Sequence, residues 1–439
     1  MSKPQSLARV YTTAHPHVRY WREGWWLWNI THYSPLSKEV FTFLLAKFLA
    51  GHFAEIESNA GVTTSLVNST VTHIKSLMYI PDKVEQQTWL PAQAGHFVSM
   101  TNGIVNLSTR ELLPHSPQWW SSYYLPYAFE PTARCPIWLA FLDQILESNP
   151  ETLALLQEWF GYCLTPDTSQ QKFLVVEGEG ANGKGVLFGH LRAMLGKENT
   201  AQVSLPSLDT QFGPMGLVGK LLNVTTEAEH LGKTSEAKLK EWTGGDSVTF
   251  DVKFLPPNVG YEPITRFAIS TNHRPDFKDT SNGLWRRMLL ISLRLSFPYE
   301  AQDRNLGKKL EGELAGTLNW ALRGLQRLRE AGQFTRSIQS EEAVAEYKLA
   351  ANPIGMFLRE YYAEAASDKE EDTVCVYESY VKWAKANGYQ VQNSATLGQQ
   401  VRKIFPSVIR FRYKALNKYV YQGLQELPAL SAARDGWNP

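Results

Sequence analysis

Four short apolar runs, KFLVVEG, KLLNVTTE, TRFAISTN and RMLLISL, recur between about residues 166 and 330, with helical segments such as VLFGHLRAML falling between some of them. Runs this short without strict alternation suit strands covered on both faces, so the region predicts an α/β core built on a largely parallel sheet. Within it, GGDSVTFDVKFLPPNVGYEPITRF alternates on both sides of PPNVG, which predicts a projecting hairpin with Lys253 and Phe254 near its turn. Upstream, EVFTFLLAKFLAGHFAEI, residues 39 to 56, has helical spacing, whereas HFVSMTNGIVNLST, 96 to 109, alternates like strands about an Asn-Gly turn. Residues 1–165 are therefore expected to form a mixed α+β and helical domain. Downstream, 331–372 reads as a helical connector whose SDKEED patch is a solvated linker. In 373–439, YESYVKWAKANGY and SATLGQQVRKIF predict two amphipathic helices and FRYKALNKYVYQGL a hairpin.

Composition changes this picture in a few places. A chain of 439 residues is long enough for several cores, and its 44 basic against 43 acidic side chains leave almost no global field, so any nucleic-acid partner must meet a local basic surface. One such surface is predicted: residues 373 to 425 hold eight Lys or Arg and one acid. Helix, helix, two-stranded wing with concentrated positive charge is a DNA-binding arrangement, with Arg402, Lys403, Arg410, Arg412 and Lys414 as its candidate contacts. The clustered rings of Trp21, Trp25, Trp26, Trp28, Trp119 and Trp120 are read as core or subunit packing and not as a platform for bases. Cys135, Cys163 and Cys375 are too scattered for a disulfide framework or a zinc site, and no run is long and apolar enough to span a membrane. A cytoplasmic protein is expected.

The candidate chemistry begins at GEGANGKGV. Gly178, Gly183 and Lys184 fit GxxxxGK directly after the strand KFLVV and before a helix starting near Val186. In that setting the segment Gly178, Glu179, Gly180, Ala181, Asn182, Gly183, Lys184, Gly185 and Val186 can turn backbone N–H groups toward phosphate oxygens while Lys184 reaches the outer phosphates. The pattern lacks its last element, because Gly185 stands where a hydroxyl would hold Mg²⁺. Magnesium keeps several waters, so water can fill that position if a carboxylate anchors the shell. Glu227, with Glu229 as a weaker second acid, follows the next apolar strand and is the candidate metal anchor. Asn272 ends the third strand, where an amide can orient a water, and Arg286 and Arg287 precede the fourth, either one a candidate arginine finger.

The ordered series GEGANGKG, LLNVTTEAE, LKEWTGGDSVTFDVKF, FAISTNHRPDF and GLWRRMLLI resembles the Walker A, Walker B, B-prime, C and arginine motifs of superfamily 3 helicases, within them the phage and plasmid primase-helicase group that also includes poxvirus primase-helicases. TNGIVNLSTRELLPHSP, LPYAF, CPIWLAFLDQIL, LLQEWFGYCL and YKLAANPIGMFLREYY extend the likeness to nearly the entire chain. The resemblance implies an AAA+-type P-loop core over 166–330, an oligomerisation collar in 1–165 and a winged-helix-like module in 373–439. It implies a homo-oligomeric ring, a hexamer, that hydrolyses ATP with Mg²⁺ between subunits and draws single-stranded DNA from a fork. Lys184 matches the phosphate-binding lysine, Glu227 the Walker B acid, Asn272 the residue of motif C, and Lys253 with Phe254 the pore-lining pair. Relatives that prime carry a further domain ahead of this region, and only about 20 residues precede the tryptophan cluster here, so a separate primase is the expected partner. A second reading, a DNA-binding initiator or loader that uses nucleotide as a switch, also accommodates Gly185. A small-molecule kinase accommodates neither the hairpin nor the basic tail.

Overall fold

The four apolar runs become neighbouring strands of one sheet in the computed structural model, which describes residues 3–58, 60–91, 95–226, 233–252, 255–275, 277, 282–414 and 417–434. They are β1 (Phe173–Glu177), β3 (Leu222–Thr226), β4 (Arg266–Thr271) and β5 (Met288–Ser292), joined by a two-residue β2 (Thr200–Ala201). The order is β2-β3-β4-β1-β5 and every pairing is parallel. All five residues of β1 are buried because they alternate between two cores: Leu174 and Val176 face one, Phe173 and Val175 the other. Burial on both faces is why the run carries no polar alternation.

The first core draws in helices from outside the middle region. Pro136–Ile145 and Pro150–Tyr162 pack with Lys184–Leu195 and Leu314–Ala331 against the sheet, so residues from about 98 onward share the core of the α/β unit. Pro150–Tyr162 and Leu314–Ala331 approach closely through a reciprocal glycine pair: a Cβ on Gly161 would sit 2.4 Å from the Ala321 carbonyl, and one on Gly324 2.4 Å from that of Gln157. The helix Ile338–Ala350 covers the opposite face through Ala343 and Tyr347.

The amino-terminal helices Pro4–Ala14, Lys38–Glu55 and Thr64–Met78 enclose a separate small core with the sheet Val18–Trp21, Gly24–Trp28 and Tyr33–Leu36. Trp25 stacks on Phe41 at 3.6 Å, and Trp21 packs edge-on against the buried Trp120. These rings are packing material, as their pattern suggested. The helix Lys38–Glu55 and the strand pair Phe97–Met100 and Gly103–Asn106 lie where the periodicity placed them.

Two expectations change. PPNVG is not a turn: Leu255–Tyr261 is one continuous strand paired antiparallel with Val248–Val252, so the connection falls earlier, between Val252 and Leu255. Prolines are tolerated there because a two-stranded ribbon has only edge strands, and the register is irregular at both intervals. SDKEED is not simply a solvated linker either. Glu370–Asp372 forms a strand in the order Glu370–Asp372, Lys418–Gln422, Ile409–Tyr413, and the helix Pro353–Tyr361 shares a core with Tyr380, Trp383 and Val401. The expected helices appear as Thr373–Ala386 and Ser394–Ile404. Asp372 and Asn393 cap them, accepting from the Val374 and Thr396 N–H groups.

Candidate functional site

β1 stops at Glu177 because the backbone then needs conformations that side chains resist. Gly178 has φ +156, and a Cβ there would lie 2.4 Å from the Leu293 carbonyl. Ala181 and Gly183 follow at φ +59 and +90, turning the chain into the helix Lys184–Leu195 with Gly183 as its N-cap. The result is a strand, a tight loop and a helix N-terminus at the carboxyl edge of a parallel sheet, with β1 held between β4 and β5. Open sheets of this kind take ligands at that edge, where the chain's progression across the sheet reverses.

The loop closes on its own lysine. Lys184 is only 8% exposed, and its ammonium donates to the side-chain oxygen of Asn182 at 3.0 Å, to the Glu179 carbonyl at 3.3 Å and to the Gly178 carbonyl. The Asn182 amide in turn donates to the Glu179 carbonyl. Burial pushes the Lys184 pKa below its ordinary value. Among the described residues its hydrogen-bond partners are all neutral oxygens, which an anionic partner could replace.

Gly185 lies in the first helical turn with nothing within 4 Å of the position a Cβ would take. Its missing hydroxyl is therefore not a steric requirement. On the expectation that this loop holds ATP with Mg²⁺, Gly185→Thr should fold normally and lower the Mg²⁺ concentration for half-maximal ATP hydrolysis by about threefold to tenfold, since a hydroxyl would stand where a coordinating water otherwise would. A magnesium titration of the two proteins checks it; an unchanged midpoint means this position is far from the ion.

The structure brings Asn272 to the same edge. Thr271 pairs with Glu177 in the sheet, and Asn272 lines a hollow of about 600 Å³ with Gly178, Glu179, Arg274 and Arg294. Glu227 and Glu229 lie outside the described residues; β3, which precedes them, ends at Thr226 opposite Ser270 of β4. Among the described residues no cluster of His, Cys, Asp or Glu is arranged for a metal. The glycine cradle, the helix N-terminus and Lys184 together fit a phosphate group.

Arg286 and Arg287 are not brought to this edge. They precede Met288, which pairs with Phe173 at the start of β1, so a five-residue strand of roughly 16 Å separates them from their own loop. Arg287 donates to the Gly283 carbonyl at 2.6 Å, whereas Arg286 is exposed and its hydrogen bonds among the described residues are backbone ones, its N–H to the Asn282 carbonyl and its carbonyl to Lys172. The residues the sequence pattern did not single out are Glu177 and Arg274, joined in a two-pronged ion pair with Nε–Oε2 at 2.8 Å. An acid ending a wholly apolar strand was the available signal.

Lys253 and Phe254 lie outside the described residues. In the carboxyl-terminal module Arg402, Lys403, Arg410, Arg412 and Lys414 are all exposed. Arg410 and Arg412 stand over the same Tyr419 ring, at 4.2 and 5.4 Å. The acidic strand trims the surface: Asp372 pairs with Lys418 at 3.0 Å and Glu370 accepts from Tyr413 at 2.8 Å. No helix among the described residues is long and apolar enough to cross a membrane.

Two family models match the chain: one described as D5 N terminal like, over residues 8–147, and a family of unknown function, DUF5906, over residues 176–287. A protein of Acanthamoeba polyphaga mimivirus named "Putative helicase L207/L206" is 22% identical over an alignment of 256 residues that covers 51% of this chain and 26% of the viral protein. The chain thus spans about a quarter of that relative's length. Two apo structures of the NrS-1 C terminal region superpose over 96% of this chain and 100% or 99% of theirs, each with a TM-score of 0.53 and 12% identity. At that identity the likeness is one of fold.

Proposed function

We propose that this chain is an ATP-dependent DNA helicase of a phage, plasmid or other mobile element, acting as a homo-oligomeric ring on single-stranded and forked DNA. The observation that carries the reading is the glycine loop folded around Lys184 at the edge where β1 lies between β4 and β5, the position and form of a P-loop in an AAA+-type core. The helicase name of the mimivirus relative and the D5-like amino-terminal match favour the same class. Gly178 to Val186 hold the triphosphate, and Glu227 with water holds Mg²⁺, whose chemistry is to neutralise phosphate charge. Asn272, beside the loop, orients the water.

Arg286 supports the ring. It lies about a strand's length from its own loop and is exposed, and we assign it to a neighbouring subunit's site as the arginine finger. Lys253 and Phe254 are assigned to the pore as a cation for phosphate and a ring for base or sugar. The carboxyl-terminal module, read as winged-helix-like, adds a duplex contact through Arg410 and Arg412. Replacing both by alanine is expected to weaken forked-DNA binding and to reduce the slope of log K against log salt by about 2, one per phosphate lost; a slope unchanged between the proteins removes that module from the interface.

The reading is tested by supplying purified protein with ATP, Mg²⁺ and a forked duplex. The expected result is phosphate release stimulated by DNA together with strand displacement. Hydrolysis with a fork left closed would favour a nucleotide-switched initiator or loader.

A further inference from the structure

Directly before the first glycine of the loop stands Glu177, a carboxylate that phosphate binding does not require. Arg274 grips it with Nε to Oε2 at 2.8 Å and Nη2 to Oε1 at 3.0 Å, and the Ser292 hydroxyl donates to Oε1 at 2.6 Å. The same Nη2 also reaches Glu346 Oε2 at 3.2 Å, on the helix Ile338–Ala350, with the Tyr347 ring 5.5 Å from the guanidinium. These two carboxylates are unequal partners. Glu177 is 11% exposed and held bidentately, whereas Glu346 is 71% exposed and held by one contact. A single bond to a solvated carboxylate is readily given up, while a forked, partly buried pair persists.

We propose that Arg274 is the residue by which this chain tells a nucleoside triphosphate from a diphosphate, exchanging Glu346 for the terminal phosphate while keeping Glu177. The inference rests on the nucleotide reading above and adds a positioning residue to that site. Arg274 borders the hollow that Gly178, Glu179 and Asn272 also line, and a terminal phosphate bound in that hollow would meet its guanidinium. A terminal phosphate brings nearly two negative charges next to Glu177 and Glu346. Only one of those carboxylates can be left without its cation at little cost, and it is the exposed one. Glu177 then aims the guanidinium and keeps it from collapsing onto the loop.

The exchange has a mechanical consequence. Glu346 belongs to a helix fixed at its start by Ser340, which accepts from the Leu290 N–H of β5 at 3.2 Å, and tied near its end by Arg274 and by the Tyr347 hydroxyl on the Pro275 carbonyl. After Ala350 the chain enters Pro353–Tyr361, whose N-cap Asn352 accepts from the Gly355 N–H at 3.0 Å and whose body lies in the core of the basic module. Releasing Glu346 loosens the segment joining the nucleotide edge to that module. By linkage, whatever favours the loosened arrangement also favours triphosphate.

The experiment measures affinity for a non-hydrolysable ATP analogue and for ADP in the full chain and two variants. Arg274→Ala is expected to lose about tenfold for the analogue and under about twofold for ADP, the scale of one hydrogen bond to a charged group. Glu346→Ala, an exposed change that spares the fold, is expected to gain about twofold to threefold for the analogue alone, because it deletes the competitor. Equal losses for both nucleotides in Arg274→Ala, or no change in Glu346→Ala, overturn the proposal and make the triad structural. If the unaltered chain binds neither nucleotide, the nucleotide reading itself falls; if it binds both and the variants do not discriminate, only the role of Arg274 falls.

Discussion

Lys184→Ala is expected to lower ATP hydrolysis by at least about 10²–10³-fold, the cost of removing one preorganised charge from a phosphoryl-transfer site. The structure gives the reason in detail. The ammonium is the only cation inside the loop, and it is already desolvated and surrounded by the oxygens of Gly178, Glu179 and Asn182. On the proposed function, a bound triphosphate would replace those neutral acceptors with anionic ones. Alanine leaves the glycine geometry intact, since Gly178 and Gly183 turn the backbone by themselves. The variant is therefore expected to keep its thermal unfolding midpoint within a few degrees while phosphate release disappears. Wild-type turnover in the variant would place the hydrolytic site elsewhere.

The second large effect concerns Arg286. Arg286→Ala is expected to lose about 10³-fold in turnover with nucleotide affinity nearly unchanged, as removal of a transition-state charge does. Arg287→Ala is expected instead to act on stability, because its guanidinium is spent on the Gly283 carbonyl and borders Asp246. A sharper form of the test mixes two inactive proteins. In a ring, a Lys184→Ala subunit still lends its Arg286 to a neighbour, and an Arg286→Ala subunit still holds nucleotide. An equal, random mixture should therefore recover activity at about a quarter of its interfaces, a consequence of head-to-tail contacts. A mixture as inactive as its components would show that Arg286 does not act across a subunit boundary.

Legibility followed the range of the interactions involved. The glycine loop was readable because both glycines answer a local demand, positive φ at Gly178 (+156) and Gly183 (+90), and because Lys184 follows them in sequence. The choice between the two arginines was not, because adjacent residues share one sequence context and differ only in where their side chains find partners. Nor was the Glu177–Arg274 pair, whose members are 97 residues apart and meet only because β1 and β4 are adjacent. The hairpin turn was misplaced because proline and glycine punctuate loops in most settings, and an isolated ribbon is the setting in which a strand can hold them.

The amino-acid order by itself determined the four apolar strands of the central sheet, where the glycine loop stands and which helices carry the exposed basic residues. Period and turn chemistry are properties of a few consecutive residues, and burial on both faces writes them plainly. Tertiary structure alone decided which strand ends share an edge, which arginine is left exposed at the far one, and that an acidic strand would neutralise part of the basic module. Those outcomes depend on strand order and on charges meeting across long separations, and no local pattern encodes either.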